Sequence, residues 1–175
     1  MAEALDGALP DDIDDLALKV LQEACDRGLK LVTAESCTGG LLASLLTDIP
    51  GCSHAFERGF VTYTDAAKHE LLGVDREILE RDGAVSERCA RAMAAGALAR
   101  SEGDVALSIT GYAEASPDGG PAGLVHFASA RQGEPTLHQV RRFGEIGRAE
   151  VRLACLRVAL GMIRERLIHR PATAA

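Results

Sequence analysis

The residues with most chemistry to offer lie in one stretch, Thr33-Ala34-Glu35-Ser36-Cys37-Thr38-Gly39-Gly40. Hydroxyls flank a thiol, a carboxylate precedes them and paired glycines follow. Ser36 is a candidate nucleophile. Cys37 competes with it, because a thiol at a helix N-terminus has a depressed pKa. Backbone N–H groups at a helix start favour developing negative charge, so an oxyanion site would lie beside either residue. The same side chains have plainer uses. Ser36 or Thr38 can cap a helix, and Cys37 can be a small buried residue.

A serine nucleophile needs a base. None of the five histidines lies near Ser36 or in a recognisable triad pattern. A lysine can serve if burial lowers its pKa toward neutrality, and a tyrosine is the other option. Tyr63 and Lys68 follow a strand pattern closely and are the candidates, although most lysines are simply solvated. Their spacing is one residue too long for the tyrosine–lysine pair of short-chain dehydrogenases, and no glycine-rich Rossmann turn opens the chain. Gly39-Gly40 lacks the GK[ST] ending of a nucleotide P-loop. There is no HExxH, and the five cysteines show no CxxC pair, so neither a metal site nor a redox dithiol is expected. Arg58, Arg142, Arg148 and Arg152 are possible phosphate holders. Arg148 and Arg152, four apart at a helix start, can share one face.

The elements that must position these residues follow from periodicity. Apolar residues at i, i+3, i+4 spacing predict a helix over 11–27, ended by Gly28. A strand over 29–32, a turn over 33–40 and a helix to about 47 come next, until Pro50-Gly51 breaks the chain. Residues 56–63 alternate and carry aromatic and β-branched side chains, which predicts a strand. Thr64-Asp65 can cap a helix over 66–72, and Asp75 can open another to about 81. An alanine-rich helix over 86–101 and a buried strand over 104–110 follow. A long loop runs over 111–121, and loops of that length are often functional. A hairpin over 122–143 and an amphipathic helix over 148–168 complete the pattern. Strands interleave with helices early and a hairpin comes late. The expected fold is therefore a single three-layer α/β/α domain with a mixed sheet and a late antiparallel hairpin. Residues 1–10 read as a flexible leader and 170–175 as a flexible tail.

With 175 residues the chain can build one domain with a real core. A net charge of −7 argues against non-specific nucleic-acid binding, and no apolar run approaches membrane-spanning length. An odd number of cysteines without a signal peptide fits reduced thiols in a cytoplasm. The long alanine-rich helices offer flat faces for self-association, so a homo-oligomer is expected.

The octapeptide at 33–40 resembles the opening motif of the CinA C-terminal domain family, the nicotinamide-nucleotide amidases. So do Phe56-Glu57-Arg58-Gly59-Phe60-Val61-Thr62-Tyr63, Ala67-Lys68, Leu72-Gly73-Val74 and Gly83-Ala84-Val85-Ser86-Glu87. The resemblance runs from about residue 15 to 168, within a domain expected over 11–169. It implies hydrolysis of the carboxamide of nicotinamide mononucleotide to nicotinate mononucleotide and ammonia, a step of pyridine nucleotide salvage. It makes Ser36 the nucleophile, with Tyr63 and Lys68 activating it or shuttling protons. The substrate-binding residues it implies are Glu35, Thr38, Gly39, Gly40, Arg58, Thr110, Gly111 and Arg148. The backbone N–H groups of Cys37–Gly40 would hold the oxyanion. No cofactor is needed, and the partner is a small-molecule nucleotide. The N-terminal domain of longer members has no counterpart, so no second activity is expected.

The chain also departs from that pattern. After Thr110-Gly111 the family usually continues Ile-Ala-Gly-Pro, then Gly-Gly and Lys-Pro-Val-Gly. Here Gly111-Tyr112-Ala113-Glu114-Ala115-Ser116-Pro117 is followed by Asp118-Gly119-Gly120-Pro121-Ala122-Gly123, about two residues shorter and without the lysine. Bare backbone N–H groups of such loops can hold phosphate, and the carboxylate of Glu114 would repel one. Ile146-Gly147 also stands before Arg148 where Gly-Asp is usual. The alternative reading is a divergent, non-hydrolytic member that binds a nucleotide or a partner protein.

Overall fold

Five strands form one sheet in the computed structural model, which describes residues 9–48, 51–117 and 119–168. In chain order the elements are α1 (Asp11–Asp26), β1 (Leu31–Glu35), α2 (Leu41–Thr47), a 3-10 turn (Ser53–Ala55), β2 (Phe56–Val61), α3 (Asp65–Leu72) and α4 (Arg76–Arg81). Then come α5 (Glu87–Ala99), β3 (Val105–Gly111), β4 (Leu124–Arg131), β5 (Leu137–Arg142) and α6 (Arg148–Ile168). The strand order is β2-β1-β3-β4-β5. β1 pairs parallel with both β2 and β3, while β4 and β5 run antiparallel to their neighbours.

Alternation along the central strands divides the core into two layers. Leu31, Val105, Leu107 and Ile109 face α1, α2 and α6. Val32, Ala34 and Ala106 face α3, α4 and α5. The mixed three-layer architecture therefore agrees with the expectation. Small residues let the layers approach closely. A Cβ on Gly96 of α5 would stand 1.9 Å from the carbonyl oxygen of Leu72, where α3 ends.

Element boundaries differ in two instructive places. The first strand runs through Thr33, Ala34 and Glu35, so the turn begins only at Ser36. Five consecutive buried residues there show a strand covered on both faces, which polar residue types concealed. The second strand stops at Val61, because Thr62 and Tyr63 turn their carbonyls toward Lys68. Residues 1–8 of the leader expected at 1–10, Pro50 and the expected tail at 170–175 lie outside the described residues, as does Asp118 of the long loop.

A buried ion pair ties α6 to the β4–β5 turn. Arg166 is almost wholly buried; its Nη1 donates to Glu134 Oε2 at 2.7 Å and its Nε to Ser129 Oγ at 2.9 Å. Its Nη2 donates to the carbonyls of Ser129 and Pro135. Removing one member of such a pair strands the other charge out of water, at about 3–5 kcal/mol. Arg166→Met is accordingly expected to lower the melting temperature by about 10 °C in a thermal scan. A shift of under about 2 °C would mean that Arg131, whose Nε lies 3.5 Å from Glu134 Oε1, compensates the charge on its own.

Candidate active site

The three parallel strands β1, β2 and β3 end at one edge of the sheet, where open α/β sheets place their ligands. Ser36 is the first residue beyond β1. Its amide donates to Ile109 O at 3.0 Å, which extends the β1–β3 ladder and fixes the start of the turn. The next turn of chain is held from two sides. Inside, the buried carboxylate of Glu35 accepts from the amides of Gly40 (3.1 Å), Leu42 (3.1 Å) and Ala43 (2.8 Å). Outside, Arg152 of α6 donates from Nε to Cys37 O at 3.1 Å and from Nη2 to Thr38 O at 2.7 Å. Gly39 sits at φ +64°, and a Cβ there would meet Arg152 Nη2 at 2.5 Å. Only glycine admits both that backbone conformation and that contact.

Lys68 is among the largest fully buried side chains of the described residues, with 1% of its surface exposed. Thr64 caps α3 by accepting from Ala67 N, which sets Lys68 one turn into the helix and facing inward. Its Nζ lies 3.2 Å from Ser36 Oγ, 2.8 Å from Thr62 O and 3.5 Å from Tyr63 O. No carboxylate offsets its charge within hydrogen-bonding reach among the described residues. Burial therefore pushes its pKa below the ordinary lysine value. This arrangement supports base chemistry. A neutral amine can give its two N–H groups to the two carbonyls and keep its lone pair for the Ser36 hydroxyl.

Both groups open onto a cavity of about 470 Å³, walled by the end of β3, the loop after it, residues Ala84 and Val85, and Arg148. Thr110 Oγ1 donates to Ala84 O at 2.7 Å and closes one corner. Across the cavity, Arg148 donates from Nε and Nη2 to Glu114 Oε2 at 3.2 and 2.9 Å. Glu114 first, and the Tyr63 hydroxyl second, raise the pKa of its guanidinium.

Residues 13–167 match the CinA C-terminal domain. The chain belongs to that family. A nicotinamide-nucleotide amidohydrolase, PncC, from Enterobacter agglomerans is 44% identical over 135 residues, which are 75% of this chain and 81% of that one. A CinA-like protein from Syntrophotalea carbinolica is 43% identical over 158 residues, or 88% of this chain and 37% of the relative. The crystal structure of the competence/damage inducible protein CihA from Agrobacterium tumefaciens superposes with a TM-score of 0.86 at 45% identity. That superposition covers 92% of this chain and 98% of the other. Six curated relatives, the Syntrophotalea protein among them, are much longer; the chain spans 29% to 39% of their length.

Within this CinA C-terminal domain the expected site residues divide. Ser36, Lys68, Tyr63, Thr110, Gly111 and Arg148 line the cavity. Glu35, Thr38, Gly39 and Gly40 do not. Glu35 caps α2, the task expected of Ser36 or Thr38, so both its oxygens are taken by the chain itself. Gly40 N–H serves that carboxylate and Gly39 N–H serves Ser36 O, which removes both amides from any oxyanion site. Arg58 is turned away: it pairs with its neighbour Glu57 and donates to Arg100 O. Tyr63 is 68% exposed and its hydroxyl is directed at Arg148, while only its carbonyl reaches Lys68. Cys37 also lines the cavity, and the Cys155 thiol in the core below α6 holds the Cys37 pKa below the ordinary thiol value while its own is raised. Arg152 does not share a target with Arg148, although the two are four apart. Ala84, Val85 and Tyr112, which also line the cavity, carried no chemical signal in the sequence.

No helix among the described residues is long and apolar enough to cross a membrane.

Proposed function

We propose that this domain is an amidohydrolase that converts nicotinamide mononucleotide to nicotinate mononucleotide and ammonia, with Ser36 as nucleophile and Lys68 as base. The observation that carries the reading is the 3.2 Å approach of a buried, unneutralised amine to the serine hydroxyl at the floor of a nucleotide-sized cavity. The 44% identity to a protein named as a nicotinamide-nucleotide amidohydrolase supplies the substrate.

Lys68 Nζ takes the proton of Ser36 as Oγ attacks the carboxamide carbon. The amide of Cys37, which lines the cavity and donates to no backbone acceptor among the described residues, faces the oxygen that gains charge. The Lys68 ammonium returns the proton to the departing nitrogen, and ammonia leaves an ester on Ser36. Water then attacks the ester, its proton passes to Lys68, and Oγ recovers that proton as the carboxylate product departs. Tyr63 takes no proton in this scheme. It steadies Arg148, which faces the phosphate end of the substrate.

The test is ammonia release. Purified protein incubated with nicotinamide mononucleotide is expected to give ammonia and nicotinate mononucleotide in equal amounts. Binding of the nucleotide by calorimetry with no ammonia at high enzyme concentration would overturn the reading in favour of a binding protein.

A further inference from the structure

Of the four arginines first considered for an anion, Arg148 alone lines the cavity among the described residues. Arg58 is committed to Glu57 and Arg100 O, Arg152 is committed to the carbonyls of the Ser36 turn, and Arg142 lies on the exposed end of β5. Arg148 is engaged as well. Two of its nitrogens donate to one oxygen of Glu114, which projects from the loop after β3 on the opposite wall. The contact is an internal ion pair at the place where a substrate anion would go.

We propose that Glu114 is a specificity-determining residue: it holds Arg148 as a built-in stand-in for the substrate's anionic group, which a phosphate ester must displace in order to bind. The proposal rests on that part of the reading above which makes the cavity the site of a phosphorylated nucleotide. A carboxylate and a phosphate cannot both take one guanidinium without bringing like charges together. A carboxamide without a phosphate leaves the pair intact and incurs no such cost. The phosphorylated substrate gains Arg148 only after Glu114 has been pushed aside. Both side chains are about half exposed, so the pair is weak enough to be displaced and adjusts selectivity without blocking the site.

The experiment compares nicotinamide mononucleotide with nicotinamide riboside on wild type and Glu114→Gln, which keeps shape and removes charge. The KM for the mononucleotide is expected to fall about fivefold in the variant, the factor that an exposed pair of about 1 kcal/mol controls. The KM for the riboside is expected to stay within about twofold, since no anion competes there. An equal change for both substrates, or none for the mononucleotide, overturns the proposal. Calorimetry with nicotinate mononucleotide gives a reading that does not need turnover, and its Kd is expected to fall by the same factor. If the Kd responds while no ammonia is ever released, Glu114 keeps its role and the amidase reading fails. If ammonia is released and neither KM nor Kd responds, the amidase reading stands and the role of Glu114 is lost.

Discussion

Ser36→Ala is expected to cut ammonia release by roughly four to six powers of ten, to a level set by binding and the backbone amide alone. The removed hydroxyl is the one that Lys68 Nζ approaches to 3.2 Å, so its loss takes away the proposed route to an ester intermediate. The substitution takes away one oxygen from a side chain that is already buried, and the turn is fixed by Glu35 and Arg152, so the fold is expected to hold. Nucleotide binding should therefore survive in a calorimetric titration. A variant that keeps a tenth of wild-type activity would eliminate the covalent scheme.

Lys68→Met is expected to be nearly as severe, and the double variant no worse than either single one, since serine and lysine act as a unit. The pH dependence carries the sign of the effect. Only the neutral amine can accept the serine proton, so activity falls as the pH drops through the Lys68 pKa. Burial has moved that pKa below the ordinary lysine value of 10.5, so the inflection in kcat/KM lies below 10.5. Stability runs the same way. Below its depressed pKa the folded protein must hold a charge in the interior that the unfolded chain hydrates, so stability rises as the pH climbs toward 10.5. Methionine removes that burden, and the inactive variant is expected to melt no lower than wild type at neutral pH. A lower melting point would show that the contacts to Thr62 O and Tyr63 O outweigh the cost of burial.

The sequence made the layers legible because the helical and strand periods are strong. Leu31 and Val32, or Leu107 and Ala106, already alternate toward the two halves of the core. Ser36 and Lys68 were legible as chemistry, but nothing in their types showed that they touch; that needs the parallel pairing of β1 with β2. Glu35 misled, since a carboxylate beside a nucleophile looks like a ligand group until its distances to three amides are known. Tyr63 misled differently, because its main chain meets Lys68 while its ring does not. Arg152 shows the limit of local pattern: its partners lie 114 and 115 residues earlier in the chain.

That last contact sets an order of events during synthesis. The loop bearing Ser36 leaves the ribosome early, yet the guanidinium that clasps its two carbonyls follows more than a hundred residues later. A nascent chain lacking α6 has the serine and the amine but not the clamp around them. The turn that bears Ser36 is thus held from both sides only once the final helix docks.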